Sequence, residues 1–165
     1  TGDAANGLWL SFIGVFLDNA ARASYSQLTL RNLLSGHTVS EVMTEGCLLV
    51  PPQLTLDVFV EQYLMTESRR CYPVGSRDQV VGLVTIHQIR SVPRSAWRDT
   101  HIGDVMTPLA ELKVVRPDTP LWDVLRDMTS EGVNQLPVLL DGRLVGMISR
   151  DHLISFLHSR SALVG

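Results

Sequence analysis

From residue 47 onward, apolar and polar positions follow strand and helix periods in turn. Cys47 to Val50 is a short apolar run that ends at Pro51-Pro52, which predicts a buried strand. A helix is predicted next, with Thr55 as its N-cap, because Ser and Thr side chains accept hydrogen bonds from the free amides of a first helical turn. The apolar positions of this helix recur three and four residues apart, at Leu56, Phe59, Val60, Tyr63 and Leu64.

The same order of elements is predicted again further along the chain. Leu112 to Val115 has the pattern of a strand, and a helix follows with Thr119 as N-cap, Pro120 as first helical residue and Gly132 as its end. Two more strands come next, and the Asp141-Gly142 pair between them is typical of a tight type I′ turn. The second helix has its apolar stripe at Leu121, Val124, Leu125 and Met128, and short closing helices are predicted from about Ile86 to Val92 and from Arg150 to His158.

Three short blocks recur in one order, which indicates that the two patterns are copies of one unit. Val39-Ser40-Glu41-Val42-Met43-Thr44 returns as Ile102-Gly103-Asp104-Val105-Met106-Thr107, 63 positions later. Tyr72-Pro73-Val74 returns as Leu136-Pro137-Val138, and Val81 to Thr85 returns as Val145 to Ser149, each 64 positions later. One unit of this size buries little surface, so we expect two copies packed about an approximate twofold axis. Such a pair has two equivalent clefts beside the N-termini of the closing helices, where a ligand site is expected.

We therefore predict an α+β (α/β) fold in which two βαββα repeats form a pseudo-twofold pair after a long N-terminal helix. The connector helix is predicted from about Leu8 to Leu34, with Ser35-Gly36 as its stop. Its apolar part, Leu8 to Leu17, is shorter than the roughly 20 residues that cross a bilayer. It is either a membrane-interface or partner-docking segment, or a helix packed on its own domain or across a homodimer. The predicted divisions are 1–36 for the connector, 37–92 for the first repeat, 93–101 for the linker, 102–160 for the second repeat and 161–165 for the tail.

Composition and charge narrow the function classes. The formal net charge of −3 and the pI near 5.9 give no basic face for nucleic acid. Cys47 and Cys71 are too few and too widely spaced for a disulfide framework or a zinc site, and we expect reduced thiols. The five histidines form no ligand motif, so no metal site and no catalytic residue is predicted. Because the chain begins with Thr1 and has no secretory signal, we expect a soluble piece of a longer protein.

The repeated blocks resemble a pair of CBS domains, also called a Bateman module. The resemblance is carried by Val-Met-Thr at each start, by Pro-Val on the third element, and by Gly-x-[Val/Ile]-[Thr/Ser] before each closing helix. It covers Val39 to about Arg160. It implies a regulatory module that assembles as a dimer and binds an adenine nucleotide (AMP, ADP or ATP) or S-adenosylmethionine.

The residues expected to contact such a ligand occupy the matching motif positions. Thr85 and Ser149 lie where a strand gives way to a helix, so their hydroxyls can face an anion, although an N-cap role alone also explains them. Three places further on the family usually has an Asp that holds the ribose hydroxyls, and this chain has Gln88 and His152 there. Tyr72 and Leu136 are the expected walls for an adenine ring, with ordinary core packing as the alternative for Tyr72. The candidate set is completed by Pro73, Val74, Pro137 and Val138.

The segment before the first repeat is similar to the connector that follows the last membrane helix in CBS-bearing site-2 proteases, which are intramembrane zinc metalloproteases. The similarity rests on Gly7 to Leu10, Ile13 to Ala21 and Leu30 to Leu34. It implies a module on the cytoplasmic face of a membrane, partnered by its own membrane peptidase domain, which would hold the zinc. Two alternatives stay open: a purely structural dimerisation module without a small ligand, and the CBS pair of a channel, a transporter or a nucleotide-biosynthetic enzyme.

Overall fold

The computed structural model describes residues 28–67 and 69–164. Most of the predicted connector, including Leu8 to Leu17, lies outside the described residues, and its last turns form helix α1 (28–34). This helix ends at the predicted place. Gly36 has a φ of +79°, a backbone angle that glycine adopts readily after the last helical turn.

The first repeat places two antiparallel strands between two short helices. The predicted strand at Cys47 to Val50 is wrong in extent, because only Val50 forms a bridge, to Val74 and in parallel. Val50 donates its amide to the Pro73 oxygen at 2.9 Å and accepts from the Gly75 amide at 2.9 Å. Pro73 has no amide proton, so the ladder cannot continue backward through that residue. The elements are α2 (Leu56–Phe59, continued by a π-helical turn Val60–Leu64), β1 (Cys71–Gly75), β2 (Val80–Thr85) and α3 (Ile86–Ser91).

The second repeat has the same order with longer helices. Its first strand is again reduced to one residue, Val115, which bridges Val138 in parallel. The last helix continues to Val164 rather than stopping near His158, because no Gly or Pro interrupts the sequence until Gly165. The elements are α4 (Ile102–Val105), β3 (Thr107–Pro108), α5 (Leu121–Ser130), β4 (Gln135–Leu140), β5 (Arg143–Ser149) and α6 (Arg150–Val164).

The turn predicted from local sequence is confirmed, whereas the predicted helix starts differ in detail from those in the structure. Asp141 and Gly142 have φ of 51° and 78°, as a type I′ turn requires. Thr55 does occupy the N-cap position, but its hydroxyl donates to the Asp57 carboxylate at 2.5 Å instead of accepting from a backbone amide. α5 begins one residue later than predicted, at Leu121, because the extended backbone of Pro120 bridges Thr38 of the incoming chain.

The first segment of each repeat, around Val39 and around Ile102, packs into the core of the other repeat, so the two repeats exchange these segments. Val39 is fully buried in the core of the second repeat, with Leu121 and Val124 among its neighbours, whereas Ile102 is fully buried in the core of the first repeat. Backbone hydrogen bonds fix both segments: the Leu121 amide donates to the His37 oxygen at 3.0 Å, and the Ile102 amide donates to the Leu54 oxygen at 2.8 Å. Each core is therefore completed by the other copy, which explains why two copies are needed.

The predicted linker is a packed segment. It contains a single 3₁₀ turn, Arg94–Ala96, and the Trp97 ring packs against the core of the first repeat. The indole nitrogen donates to the Val92 oxygen at 2.9 Å, and the Trp97 oxygen accepts from the Leu56 amide at 3.1 Å. The connection thus fixes the start of α2 while it carries the chain from one repeat to the other.

Candidate functional site

The structure brings Thr85 and Gln88 together at the end of β2, beside the second repeat. The Thr85 hydroxyl accepts from the Gln88 amide at 3.3 Å, and the Gln88 side-chain oxygen accepts from the Thr85 amide at 2.8 Å. This reciprocal capping leaves the Gln88 side-chain nitrogen free to turn outward, and it donates to the Thr107 hydroxyl of the second repeat at 2.8 Å. Gln88 thus joins the two repeats.

Ser149 and His152 form the equivalent arrangement at the end of β5. Ser149 is 8% exposed, and its hydroxyl accepts from the His152 amide at 3.2 Å. The His152 ring makes a hydrogen bond with the Thr44 hydroxyl of the first repeat, with 3.2 Å from Nε2 to the oxygen. At the end of β2 and at the end of β5, the residue at the position where the family usually has Asp contacts a threonine of the other copy. These threonines, Thr107 and Thr44, belong to the recurring Val-Met-Thr block, here called the Met-Thr block.

Backbone pairing holds each Met-Thr block against the partner hairpin. Thr107 pairs with Leu83 across β3 and β2, and Thr44 forms a single bridge with Met147 of β5. A side chain at Gly82 would overlap the Thr107 carbonyl oxygen, and one at Gly146 would come within 2.9 Å of the Thr44 oxygen. The two glycines therefore allow the crossing segments to approach closely. The ligand residues predicted from the sequence do not include these threonines and glycines, although the recurring blocks contain them.

The expected walls of an adenine site lie inside the cores. Tyr72 is 0% exposed, its ring stands at 90° to Phe59 with 5.0 Å between centroids, and its hydroxyl donates to the Glu67 oxygen at 3.0 Å. Burial raises the pKa of Tyr72. Leu136 is 2% exposed in the other core. The remaining members of the candidate set are buried strand residues: Pro73, Val74, Pro137 and Val138. These side chains are buried within the sheets, and none of them lines the cleft described next.

A small cleft opens next to Thr44, at the place where this residue pairs with Met147 of β5. It has a volume of about 220 Å³ and lies between the segment after Thr44, the first hairpin and the start of β5. That volume is below the roughly 300 Å³ at which drug-sized sites begin. Its walls carry one acid and one base, and none of the predicted contact residues lines it: Glu45, Gly46, Cys47, Leu49, Arg77, Leu144 and Val145.

Two further observations concern the whole described part of the chain. Within residues 28–67 and 69–164, no group of three or more His, Cys, Asp or Glu side chains is placed to hold a metal ion. None of the helices in those ranges has the length and hydropathy of a membrane span.

The structure is thus a tandem α+β module whose two copies contact each other at two equivalent places. These are the β2 joint, where Gln88 bonds to Thr107, and the β5 joint, where His152 bonds to Thr44. Residues 39–95 and 102–159 each match the family model of the CBS domain, so the chain belongs to the CBS-domain family. Solved structures agree with this assignment. The CBS domain of a bacterial CNNM/CorC family Mg²⁺ transporter superposes with a TM-score of 0.70 at 16% identity, covering 89% of this chain and 94% of that one.

Two closer similarities bear on the type of protein. The Mycobacterium tuberculosis protein called "Putative zinc metalloprotease Rip3" is 31% identical over 150 residues, which is 90% of this chain. The match takes in 38% of the length of that relative. CBSX2, solved in complex with AMP, is 27% identical with a TM-score of 0.61, covering 78% of this chain and 97% of that one. The chain is thus a tandem CBS module related to that of a site-2 protease-like protein.

Proposed function

We propose that this module regulates a membrane-embedded zinc metalloprotease by sensing an adenine nucleotide between its two repeats. The observation that carries the proposal is the joint at each closing helix, where a capping hydroxyl, helix amides and a hydrogen bond to the other repeat occur together. A phosphate bound there would compete with or reinforce the bonds that join the copies. Ligand occupancy would in this way change the relation between the repeats.

The chemistry of the joints predicts weak binding. Gln88 and His152 offer no carboxylate for a ribose diol, and both already bond to threonines of the other copy. A ligand must replace these bonds, which reduces its net affinity. AMP is the nucleotide that we favour, because CBSX2 holds AMP in its solved complex.

The test is calorimetric titration of the chain with AMP, ADP, ATP and S-adenosylmethionine, together with thermal shift. We expect saturable binding of AMP in the micromolar to millimolar range and weaker binding by Ser149→Ala. Ser159→Ala is the matched control, because its hydroxyl bonds only within α6, to the Ser155 oxygen at 2.9 Å. Absence of heat and of thermal shift at millimolar concentrations of all four compounds would favour a module that binds no small molecule.

That structural alternative has an observation of its own in its favour. The side chains of Gln88 and His152 have hydrogen-bond partners within the chain, so these two bonds between the repeats form without a ligand. The module would then act by holding copies of the protein together as a homodimer. Sedimentation over a concentration series tests this assembly.

The host is proposed from the similarity to Rip3. In that arrangement the module lies on the cytoplasmic face, and the zinc belongs to a peptidase domain outside this chain. The gene sequence upstream decides the question. A His-Glu-x-x-His motif within an apolar helix supports the protease, whereas a channel, transporter or biosynthetic domain there would replace it.

A further inference from the structure

Two cysteines of the first repeat have no part in the joints described above. Cys47 and Cys71 are both free and half-buried. The parallel bridge between Val50 and Val74 sets the register of the two segments that carry them. Cys47 and Cys71 each lie three residues before this bridge on their own segments, and Cys47 acts on the pKa of Cys71, so the two thiols are near each other. At the bridge the two backbones lie at the strand spacing of about 4.8 Å, and disulfides span Cα separations of about 4.4–6.8 Å, so a bond three residues away requires at most a small adjustment of the loop that carries Cys47.

Side-chain alternation predicts that both thiols lie on the same face of these segments. Val50 and Val74 point into the core and are 0% exposed. Side chains alternate between faces along an extended chain, so positions three residues away point to the opposite side. Cys47 lines the small cleft together with Leu49, which agrees with this alternation. A small reagent can therefore reach Cys47 first.

The electrostatics of the two thiols agree with this placement. Burial raises the pKa of Cys71 to about 12, and the nearby Cys47 contributes to the increase. Burial likewise raises the pKa of Cys47, while the positive charge of Arg69 acts against it. Thiolates are the reacting species, so exchange is slow at neutral pH and accelerates as the pH rises. Tightly protonated thiols also leave the reduced form without stabilisation as a thiolate, which favours the disulfide at equilibrium.

We propose that Cys47 and Cys71 form a redox modification site that closes to an internal disulfide in the presence of a small-molecule disulfide such as oxidised glutathione. Cys47 loses its proton to solvent, attacks one sulfur of the oxidant and expels the first thiolate, which takes up a proton. Cys71 then loses its proton, attacks the Cys47 sulfur of the mixed disulfide and expels the second thiolate. Two protein thiols are oxidised and one small disulfide is reduced to two thiols.

The bond would act on the joint between the repeats. Thr44, three residues before Cys47, makes the hydrogen bond to His152 and the bridge to Met147. A Cys47–Cys71 disulfide ties this crossing segment to β1 of its own repeat, and it also changes a wall of the cleft. The redox state of the pair would in this way bias how the first repeat holds the second.

The test uses the full chain, equilibrated with oxidised glutathione at several pH values. We expect the two thiols per chain to be lost together, with a decrease of about 2 Da, no retained glutathione, and a peptide that links the two cysteines. The rate should rise roughly tenfold per pH unit between pH 7 and 9. The melting temperature should rise by about 5–10 °C on oxidation, because the link closes a loop of the unfolded chain.

Single variants provide the controls. Cys71→Ser should stop at one glutathione on Cys47, and Cys47→Ser should react more slowly at Cys71. Recovery of wild-type chain that carries two glutathiones, that forms disulfide-linked dimers, or that retains both thiols after equilibration at pH 9 would overturn the assignment.

Discussion

At the end of β2 the two repeats are joined by an amide side chain, and at the end of β5 by an imidazole. Gln88 bonds to Thr107 at 2.8 Å in a partly buried setting, and the crossing segment there forms the two-residue strand β3. His152 bonds to Thr44 at 3.2 Å in an exposed setting, and the crossing segment has only one bridge, to Met147. The second joint has a longer side-chain bond and fewer paired residues, and the cleft opens beside it. We therefore expect the β5 joint to yield first to a ligand or to oxidation, while the β2 joint holds the pair together.

The largest expected effect comes from the exchanged core residues. Ile102→Ala should lower the free energy of unfolding by about 3 kcal/mol, and Val39→Ala by about 2 kcal/mol, because each removes buried carbon from the other copy's core. Urea unfolding measures both. Val114→Ala, at an exposed site, should change stability by less than about 0.5 kcal/mol. Equal, small effects for all three variants would contradict the exchange.

The next largest effects are expected at Gly82 and Gly146, the two glycines that the Met-Thr blocks approach closely. Gly82→Ala should cost about 2–3 kcal/mol, because the new methyl group meets the backbone oxygen of Thr107 and the Met106 sulfur. Gly146→Ala should cost about 1 kcal/mol, since its neighbours are slightly farther away, with the Thr44 oxygen at 2.9 Å. The same unfolding curves rank the two variants, and a larger loss at Gly146 would reverse our ordering of the joints.

A smaller difference should separate the side-chain bonds themselves. Double-mutant cycles should give a coupling of about 1 kcal/mol for Gln88 with Thr107 and less than about 0.5 kcal/mol for His152 with Thr44. The reason is that the first bond is shorter and partly buried, whereas the second is exposed. A coupling of zero at Gln88–Thr107 would show that this bond does not join the repeats energetically.

The smallest effect concerns acid stability where the connector meets the second repeat. A hydrogen bond from His37 at 2.7 Å and one from the Thr38 amide at 3.0 Å lower the pKa of Glu41. A carboxyl group with a lowered folded-state pKa stabilises the fold above its unfolded value near 4.5, and that contribution is lost as the pH falls through the folded value. Melting temperatures from pH 6 to pH 3 should therefore fall more for wild type than for Glu41→Gln. Glu111→Gln, at another exposed acid, controls for the charge change.

Much of the fold could be predicted from local signals, and less of the site. The type I′ turn at Asp141-Gly142 and the stop at Gly36 are properties of a few adjacent residues, so a single sequence shows them. The start of α5 could not be placed correctly, because Pro120 is held by a bridge to Thr38, which is distant in sequence. In the site, Thr85 and Ser149 could be placed at helix starts, but their neighbours across the joint, Thr107 and Thr44, could not.

The sequence by itself determined the order of the elements, the twofold repetition and the family, because periodicity, turn residues and recurring blocks act over short distances. Only the tertiary structure decided which core receives Val39 and which receives Ile102. An apolar side chain gains the same free energy from either core, so local pattern carries no information on the choice. The contacts of Gln88 and His152 across the joints follow from that exchange, since it sets which residues of the two copies meet.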